Sequence, residues 1–228
     1  MATVTHASRQ ALHHTVREVR WLSNYSFVLS LDRQELSFEP GQYINVGLPG
    51  DIEMREYSCY SAPADESLDV LIRLVDGGLV SRRLAALRPG QQVRVEGPFG
   101  FFTISPEDRE KPLLFVSTGT GIAPYRSFVR AYPELNYTLL HGVPTPEELY
   151  DWEEYAPDRR VACLTRSTEG DFTGRSFAGR TSEYLRQNVI TSDTICYLCG
   201  NCDMIYEAHD ILRGYGVPSD DIHAEVYF

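Results

Sequence analysis

Short runs of alternating apolar and polar residues dominate the first hundred positions of the chain. His14 to Trp21 and Tyr25 to Leu31 alternate in this way, and Gln42 to Val46, Arg55 to Ser61, Leu68 to Val75 and Gln92 to Glu96 continue the pattern. A period of two places one set of side chains on each face of a strand. Turn residues at Pro40-Gly41, Pro49-Gly50 and Pro89-Gly90 separate the runs. Six short strands at this spacing predict a closed or nearly closed antiparallel β-barrel. Ser81 to Leu87 is the helical interruption.

The pattern changes after Ile104 to Pro112, a polar stretch flanked by two prolines that reads as a linker. Beyond it apolar strands alternate with helical segments. Strands are expected at Leu113 to Val116, Tyr137 to Leu140, Val161 to Leu164, a run ending at Cys199, and Ile222 to Phe228. Helices are expected from Pro124, near Thr181 to Gln187, and from an Asn201 cap to about Arg213. Thr145-Pro-Glu-Glu148 has N-cap, first-turn proline and N3 glutamate in the order of a capping box. The alternation implies an α/β, doubly wound, parallel five-stranded sheet. The expectation is therefore a two-domain chain, a barrel over residues 1–108 and an α/β unit over 109–228.

The 228 residues are 43% hydrophobic, enough for ordered cores, and carry a net charge of −11. Both halves are acidic, which argues against nucleic acid as the main partner. No run of 18 apolar residues suggests a membrane span. The polar N-terminus lacks the apolar core of a signal peptide, so a cytoplasmic protein is expected. Lys111 is the one lysine among 21 basic residues. Codon bias and a surface suited to high salt both fit that fact. The five cysteines, without a secretory signal, do not read as a disulfide framework. Cys196, Cys199 and Cys202 have the spacing of part of an iron–sulfur run. However, Cys196 and Cys199 fall on one apolar strand, where residues three apart face opposite ways, and no metal site is expected.

Four motifs carry the candidate chemistry. They are Arg55-Glu-Tyr57-Ser58-Cys-Tyr-Ser-Ala-Pro63, Gly97-Pro-Phe-Gly100, Gly119-Thr-Gly-Ile-Ala-Pro124, and Cys199-Gly-Asn201 with Met204. An arginine fork suits pyrophosphate, and a tyrosine ring suits the face of a flat heterocycle. Gly78-Leu-Val-Ser81 opens a short helix, where free amide groups favour phosphate. Gly119-Thr-Gly121 follows a strand and precedes a helix, as a dinucleotide loop must, but Pro124 stands where a third glycine would be. The acidic residue that marks NAD⁺ about 20 positions later is replaced by Leu139-Leu-His-Gly142. Cys199 lies at a strand end, on the ligand edge of an open sheet.

The ordered set, closed by Ala224-Glu-Val-Tyr-Phe228, resembles the ferredoxin–NADP⁺ reductase family of flavoproteins over roughly residues 40 to 228. The ending is most similar to the compact bacterial branch. The resemblance implies FAD and NADP(H) as cofactors. It implies Arg55 on the FAD pyrophosphate, Tyr57 against the isoalloxazine and Ser58 near its N5. Ile72 and Leu74 would join the flavin contacts, and Gly78, Leu79, Val80 and Ser81 would complete the pyrophosphate cradle. Thr118, Gly119, Thr120, Gly121 and Pro124 would bind the coenzyme. Thr165, Arg166, Arg175 and Phe177 would clamp its 2′-phosphoadenosine, with Gly179-Arg180 an alternative to Arg175. Gly200, Asn201 and Met204 would hold the nicotinamide half beside Cys199. Glu225 would orient the carboxamide or relay protons, Tyr227 would stack on the flavin, and Phe228 would lie towards the adenine.

The activity implied is electron transfer between NADP(H) and a small one-electron carrier, ferredoxin or flavodoxin, with hydride transfer to the flavin. A monomer is favoured. Two alternatives stay open. One is the reductase component of an oxygenase or a free-flavin reductase, although oxygenase reductases often carry a fused iron–sulfur domain for which this length leaves no room. The other is an NADPH-sensing module without turnover.

Overall fold

The computed structural model describes residues 12–166, 170 and 172–227. Phe228 and its expected place near the adenine therefore lie outside the described residues. The first unit contains β1 (Leu12–Trp21), β2 (Ser26–Asp32), β3 (Tyr43–Gly47), β4 (Met54–Ser58), β5 (Ser67–Arg73), the helix α1 (Leu79–Ala85) and β6 (Gln92–Phe99). Its antiparallel sheet runs β4-β3-β6-β1-β2-β5. A bridge between Cys59 and Val70 joins the two edges, and Tyr60 N–H donates to Asp69 O at 2.8 Å. That contact closes the barrel.

Alternation fills the barrel as the pattern requires. Phe27, Leu29 and Leu31 of β2 meet Val70 and Ile72 of β5 inside it, and Val80 and Leu84 of α1 cover one end. Val28 and Leu71 occupy the intervening positions and point outward, yet both are buried. They join Phe115, Tyr125, Phe128 and Tyr197 in the core of the second unit. Strands β2 and β5 are thus apolar on both faces because a second sheet packs on the barrel wall.

The second unit contains β7 (Leu113–Thr118), α2 (Ala123–Ala131), β8 (Tyr137–Val143), β9 (Arg160–Leu164), β10 (Arg175–Ala178), α3 (Thr181–Gln187), β11 (Ile195–Gly200), α4 (Cys202–Gly214) and β12 (Ile222–Val226). Its strands are parallel in the order β10-β9-β8-β7-β11-β12. The order reverses at β7, with β8 on one side and β11 on the other, and such a reversal opens a ligand crevice at the strand ends. Asn201 caps α4, its Oδ1 accepting from Asp203 N–H at 3.0 Å and Met204 N–H at 3.4 Å. Cys196 and Cys199 pack in different cores, on the two faces of the sheet.

Two expectations need correction. The sheet has six strands, not five, because β10 adds to its edge beside β9. Its sequence, Arg-Ser-Phe-Ala, is largely exposed and has one large apolar residue, so it carries no strand signal of its own. The capping box at Thr145 starts no α-helix. Pro146–Glu148 forms one 3₁₀ turn, the Thr145 side chain makes no cap bond, and a second such turn spans Trp152–Glu154. The segment is held flat by contacts to the barrel. Glu148 accepts from Arg73 at 2.9 Å, and the Tyr150 hydroxyl bonds Ser26 Oγ at 2.9 Å.

This strap and α2 form a polar seam between the units. Arg126, buried on α2, donates to Tyr60 O at 2.9 Å and to Glu154 Oε1 at 2.7 Å, with its guanidinium 4.3 Å from the Tyr60 ring centre. Asp151, at φ +44°, accepts both Arg20 amino groups at 2.9 and 2.7 Å and the Tyr60 hydroxyl at 2.9 Å. Burial alone would push the Asp151 carboxyl up, but the bonds and charge of Arg20 and the Tyr60 hydroxyl together hold it below its ordinary value. Arg130 adds a pair with Asp65 at 2.7 Å. Bidentate, charge-assisted bonds of this kind are directional, so they set an angle as well as a contact. Replacing Arg126 with methionine removes two charge-assisted bonds and a cation–π contact. It should cost about 2–4 kcal/mol in denaturant unfolding. A change below about 0.5 kcal/mol, the range of an unremarkable surface substitution, would show that the seam contributes nothing.

Candidate functional site

A cleft of about 600 Å³ opens where the end of β4, the outer face of β5, the start of α1 and the chain end after β12 meet. Ser58 ends β4 and is buried at the cleft floor. The Tyr227 hydroxyl donates to Ser58 Oγ in a short bond, and Ser58 donates in turn to Glu225 Oε2 at 3.2 Å. Residues more than 160 positions apart therefore form one hydrogen-bonded chain. Cys199 lies beneath it, fully buried on β11 and paired in register with Glu225.

Electrostatics separate these groups. Burial pushes the Glu225 carboxyl up to about 7, against the opposing hydrogen bond from Ser58 and with added repulsion from Glu56. Burial drives the Cys199 thiol well above its ordinary value, and the Glu225 charge adds to this. It drives Tyr227 in the same direction. Tyr57 is pushed up to about 12, again by burial. At neutral pH the cysteine is a thiol and both tyrosines are neutral, while Glu225 is poised to gain or lose a proton.

Arg55 and Tyr57 line the same cleft. The Arg55 side chain is exposed, donates to the neighbouring Met54 O at 2.8 Å and faces its nearest carboxylate, Glu53, only at 3.9 Å. The first turn of α1 has neither a side-chain cap nor an acidic residue to repel an anion. Apolar walls come from Leu71, Val75, Leu79 and Val226. The cleft volume lies within the range of cofactor pockets. An exposed guanidinium without a close carboxylate, an aromatic ring and apolar walls together fit a flavin dinucleotide.

The side chains of Ile72 and Leu74 do not line the cleft, contrary to expectation. Ile72 is buried in the barrel and Leu74 packs against that core. Leu71, Arg73 and Val75, one position out of phase, face the cleft. Arg73 was missed altogether in the motif reading, although the alternation on β5 gives its face directly. It donates to buried Glu148, and its Nη1 lies 3.9 Å from where a Cβ on Gly119 would sit. It therefore stands between the flavin cleft and the nucleotide loop.

That loop follows β7. Gly119 takes φ +53°, and a 3₁₀ turn over Gly119–Ile122 leads into α2 with Pro124 in its first turn. A Cβ on Gly121 would lie 2.4 Å from Cys199 O, so the loop touches the backbone of the β11 end. The Thr118 hydroxyl accepts the Asn201 N–H at 2.9 Å. Met204 is placed differently from expectation: its side chain is buried in the core around α4, and its N–H donates to the Asn201 cap of its own helix.

Thr165 and Arg166 lie exposed just past the end of β9. The strand register separates the two arginine candidates. Arg175 pairs with Val161, near the start of β9, whereas Ala178 pairs with Leu164 at its end and Gly179 N–H donates to Leu164 O at 2.9 Å. Arg180 thus follows just past the end of β10, as Arg166 follows the end of β9, whereas Arg175 lies three strand positions, roughly 10 Å, back from Ala178. Phe177 meets Tyr184 edge-on, with ring centres 5.4 Å apart.

An antiparallel barrel joined to a doubly wound sheet, with a flavin cleft facing a glycine loop at the switch point, defines a flavin- and pyridine-nucleotide-binding oxidoreductase. Family models agree on both halves, an oxidoreductase FAD-binding domain over residues 12–104 and an oxidoreductase NAD-binding domain over 115–210. Ferredoxin--NADP reductase B of Sorangium cellulosum (strain So ce56) is 32% identical over 92% of this chain and 94% of its own length. The chain belongs to the ferredoxin–NADP⁺ reductase family. The toluate 1,2-dioxygenase electron transfer component of Pseudomonas putida is 26% identical over 93% of the chain, which spans 66% of that protein. A ferredoxin NADP⁺ reductase structure from Neisseria gonorrhoeae, 23% identical, shares the fold with a TM-score of 0.83, covering 96% of this chain and 99% of its own.

Glu225 generates a pH prediction. Below about pH 4.5 it is protonated folded and unfolded, and contributes nothing to the pH dependence. Between 4.5 and 7 the unfolded chain releases the proton while the folded one keeps it, so stability falls as pH rises. Above 7 the loss is complete, on the order of 2 kcal/mol after solvent screening at the cleft mouth. In FAD-free protein, Glu225→Gln should gain stability over the wild type progressively across this window. Parallel curves for the two proteins would show that the raised value is wrong.

Proposed function

We propose that the protein carries electrons between NADP(H) and a small one-electron carrier, a ferredoxin or flavodoxin. The observation that carries this reading is the chain Tyr227–Ser58–Glu225, assembled from both units at the floor of the flavin cleft. Bound FAD would accept a hydride from the coenzyme and pass its electrons on singly. Arg55 would neutralise its pyrophosphate, and Tyr57 and Tyr227 would cover its ring. Ser58 Oγ would give the cleft a hydrogen-bonding group for the ring edge. Glu225, with its carboxyl near neutrality, would take or return a proton through Ser58 Oγ. Cys199, an uncharged thiol under Tyr227, would shape the nicotinamide seat without carrying charge.

Residues 1–108 and 109–228 are proposed as the FAD and NADP units. The two family models, which end at 104 and begin at 115, support that division. Among the described residues no helix is long and apolar enough to cross a membrane, and a cytoplasmic location is proposed. At the coenzyme edge, Arg166 and Arg180 would hold the 2′-phosphate, and Arg73 would supply the positive charge nearest the loop. A second reading is the reductase component of an oxygenase, favoured by the relatives of that kind. The chain spans about two thirds or less of the length of those it matches.

Anaerobic titration of the FAD-loaded protein tests the proposal. NADPH should bleach the flavin absorbance, and the reduced protein should then reduce ferredoxin or flavodoxin. Absence of bleaching would leave only a sensing module. Bleaching without reduction of either carrier would overturn the proposed partner in favour of the oxygenase reading. A charged hydrogen bond to phosphate is worth roughly 1.5–3 kcal/mol, or about 10- to 100-fold. Arg166→Ala and Arg180→Ala should each weaken NADPH by that factor and NADH little, while Arg175→Ala changes either only slightly. Equal losses of both coenzymes would show that these arginines do not read the 2′-phosphate.

A further inference from the structure

We propose that Glu56 is a positioning residue for proton movement in the flavin cleft, an exposed carboxylate whose charge keeps the proton on the neighbouring carboxyl of Glu225. The inference rests on the reading of Glu225 as the group that takes and returns that proton.

Glu56 and Ser58 are two positions apart on β4 and share one face of the strand. Two positions span roughly 7 Å. Ser58 donates to Glu225 Oε2 at 3.2 Å, which brings the β12 carboxyl onto that face. Across the β3–β4 ladder Tyr43 pairs with Ser58, and Asn45 pairs with Glu56. Tyr43, Glu56, Ser58 and Glu225 all line the same cleft. Glu56 is exposed and Ser58 is buried, so the row runs from solvent to the cleft floor.

The titratable groups that face Glu225 come from every element around it. They are Glu56, Tyr43 from β3, Cys59 just after β4, Cys199 from β11, Tyr125 from α2 and Tyr227. Burial raises each of these thiols and hydroxyls, so all five are neutral at pH 7. Glu56 is left as the negative charge among them. Its neighbour Arg55 turns to Met54 O and Glu53, and among the described residues no ion pair offsets Glu56. Burial is the larger cause that raises the Glu225 carboxyl, and the Glu56 charge adds to it. Two nearby carboxylates resist ionising together. The exposed member stays hydrated and charged, and the half-buried member keeps the proton that the cleft uses.

The test follows the Glu225 carboxyl by carbon NMR in FAD-free protein, with Glu225→Gln identifying its signal. Glu56→Gln removes an exposed charge and should fold normally. It should lower the pH at which Glu225 releases its proton by about 0.3–1 unit, as expected for charges roughly 7–10 Å apart at a wet surface. Glu56→Asp keeps the charge and should keep most of the wild-type behaviour. At about 1 M salt, where the screening length is ~3 Å, the wild type should move towards the glutamine variant. In the FAD-loaded proteins the pH profile of flavin reduction by NADPH should shift in the same direction as the carboxyl. An unchanged Glu225 titration in Glu56→Gln would overturn the proposal and leave the role of Glu225 standing. A shifted titration with an unshifted reduction profile would also overturn it, by removing Glu56 from proton movement. A wild-type Glu225 that titrates in the ordinary carboxylate range would overturn both the proposal and the reading beneath it.

Discussion

A guanidinium buried between two sheets sets the geometry of this molecule. Arg126 reaches from α2 to the Tyr60 carbonyl of the barrel and to Glu154 of the strap, and lies over the Tyr60 ring. Burying charge in a seam is a weak source of stability, but turning the units relative to one another would cost Arg126 its Tyr60 carbonyl and ring and would break the Arg20–Asp151 and Arg130–Asp65 pairs. The barrel wall supplies the apolar half of the same contact, because Val28 and Leu71 are buried against the second sheet. Only with that angle held can Ser58 at the end of β4 lie 3.2 Å from Glu225 on β12. The flavin cleft is therefore a product of the seam, and neither unit contains it alone.

The chemistry within the cleft follows from graded burial. Three of its polar groups, Cys199, Tyr57 and Tyr227, are driven towards their neutral forms by removal of water. Glu225 is raised only as far as neutrality. A single group poised near the working pH, reached through one serine hydroxyl, suits proton movement that accompanies electron transfer. Arg55 and Arg73 keep the positive charge at the rim, where dinucleotide phosphates would arrive.

Much of this was legible in the sequence, and the exceptions have physical causes. The barrel strands follow from alternation, since each must bury one face. Asn201 and the glycine loop were readable because caps and close backbone approaches restrict residue type strongly. Strand β10 was missed because an exposed edge needs no apolar face and shows none. The capping box at Thr145 misled because local helix signals were overridden by tertiary contacts of Glu148, Tyr150 and Asp151 with the barrel. The misplacement of Ile72 and Leu74 is a slip of one position, which on a strand reverses the face. Arg73 was invisible to motif reasoning because its importance comes from Glu148 and Gly119, both brought to it by the fold. The places of Arg175 and Arg180 along the sheet depend on the register of β10, which no spacing in the chain reveals.

The central claim is that the inter-unit frame seats Tyr227 over the flavin, where it competes with the nicotinamide. The most direct test removes Tyr227 and Phe228 and compares the FAD-loaded proteins. Ring stacking of this kind is worth about 0.5–1.5 kcal/mol beyond area burial, so coenzyme affinity should rise by up to about tenfold. The shortened protein should stay folded and yellow, show altered flavin fluorescence, bind NADP⁺ more tightly and discriminate less between NADPH and NADH. A shortened protein that keeps FAD with unchanged fluorescence, coenzyme affinity and selectivity would contradict the account.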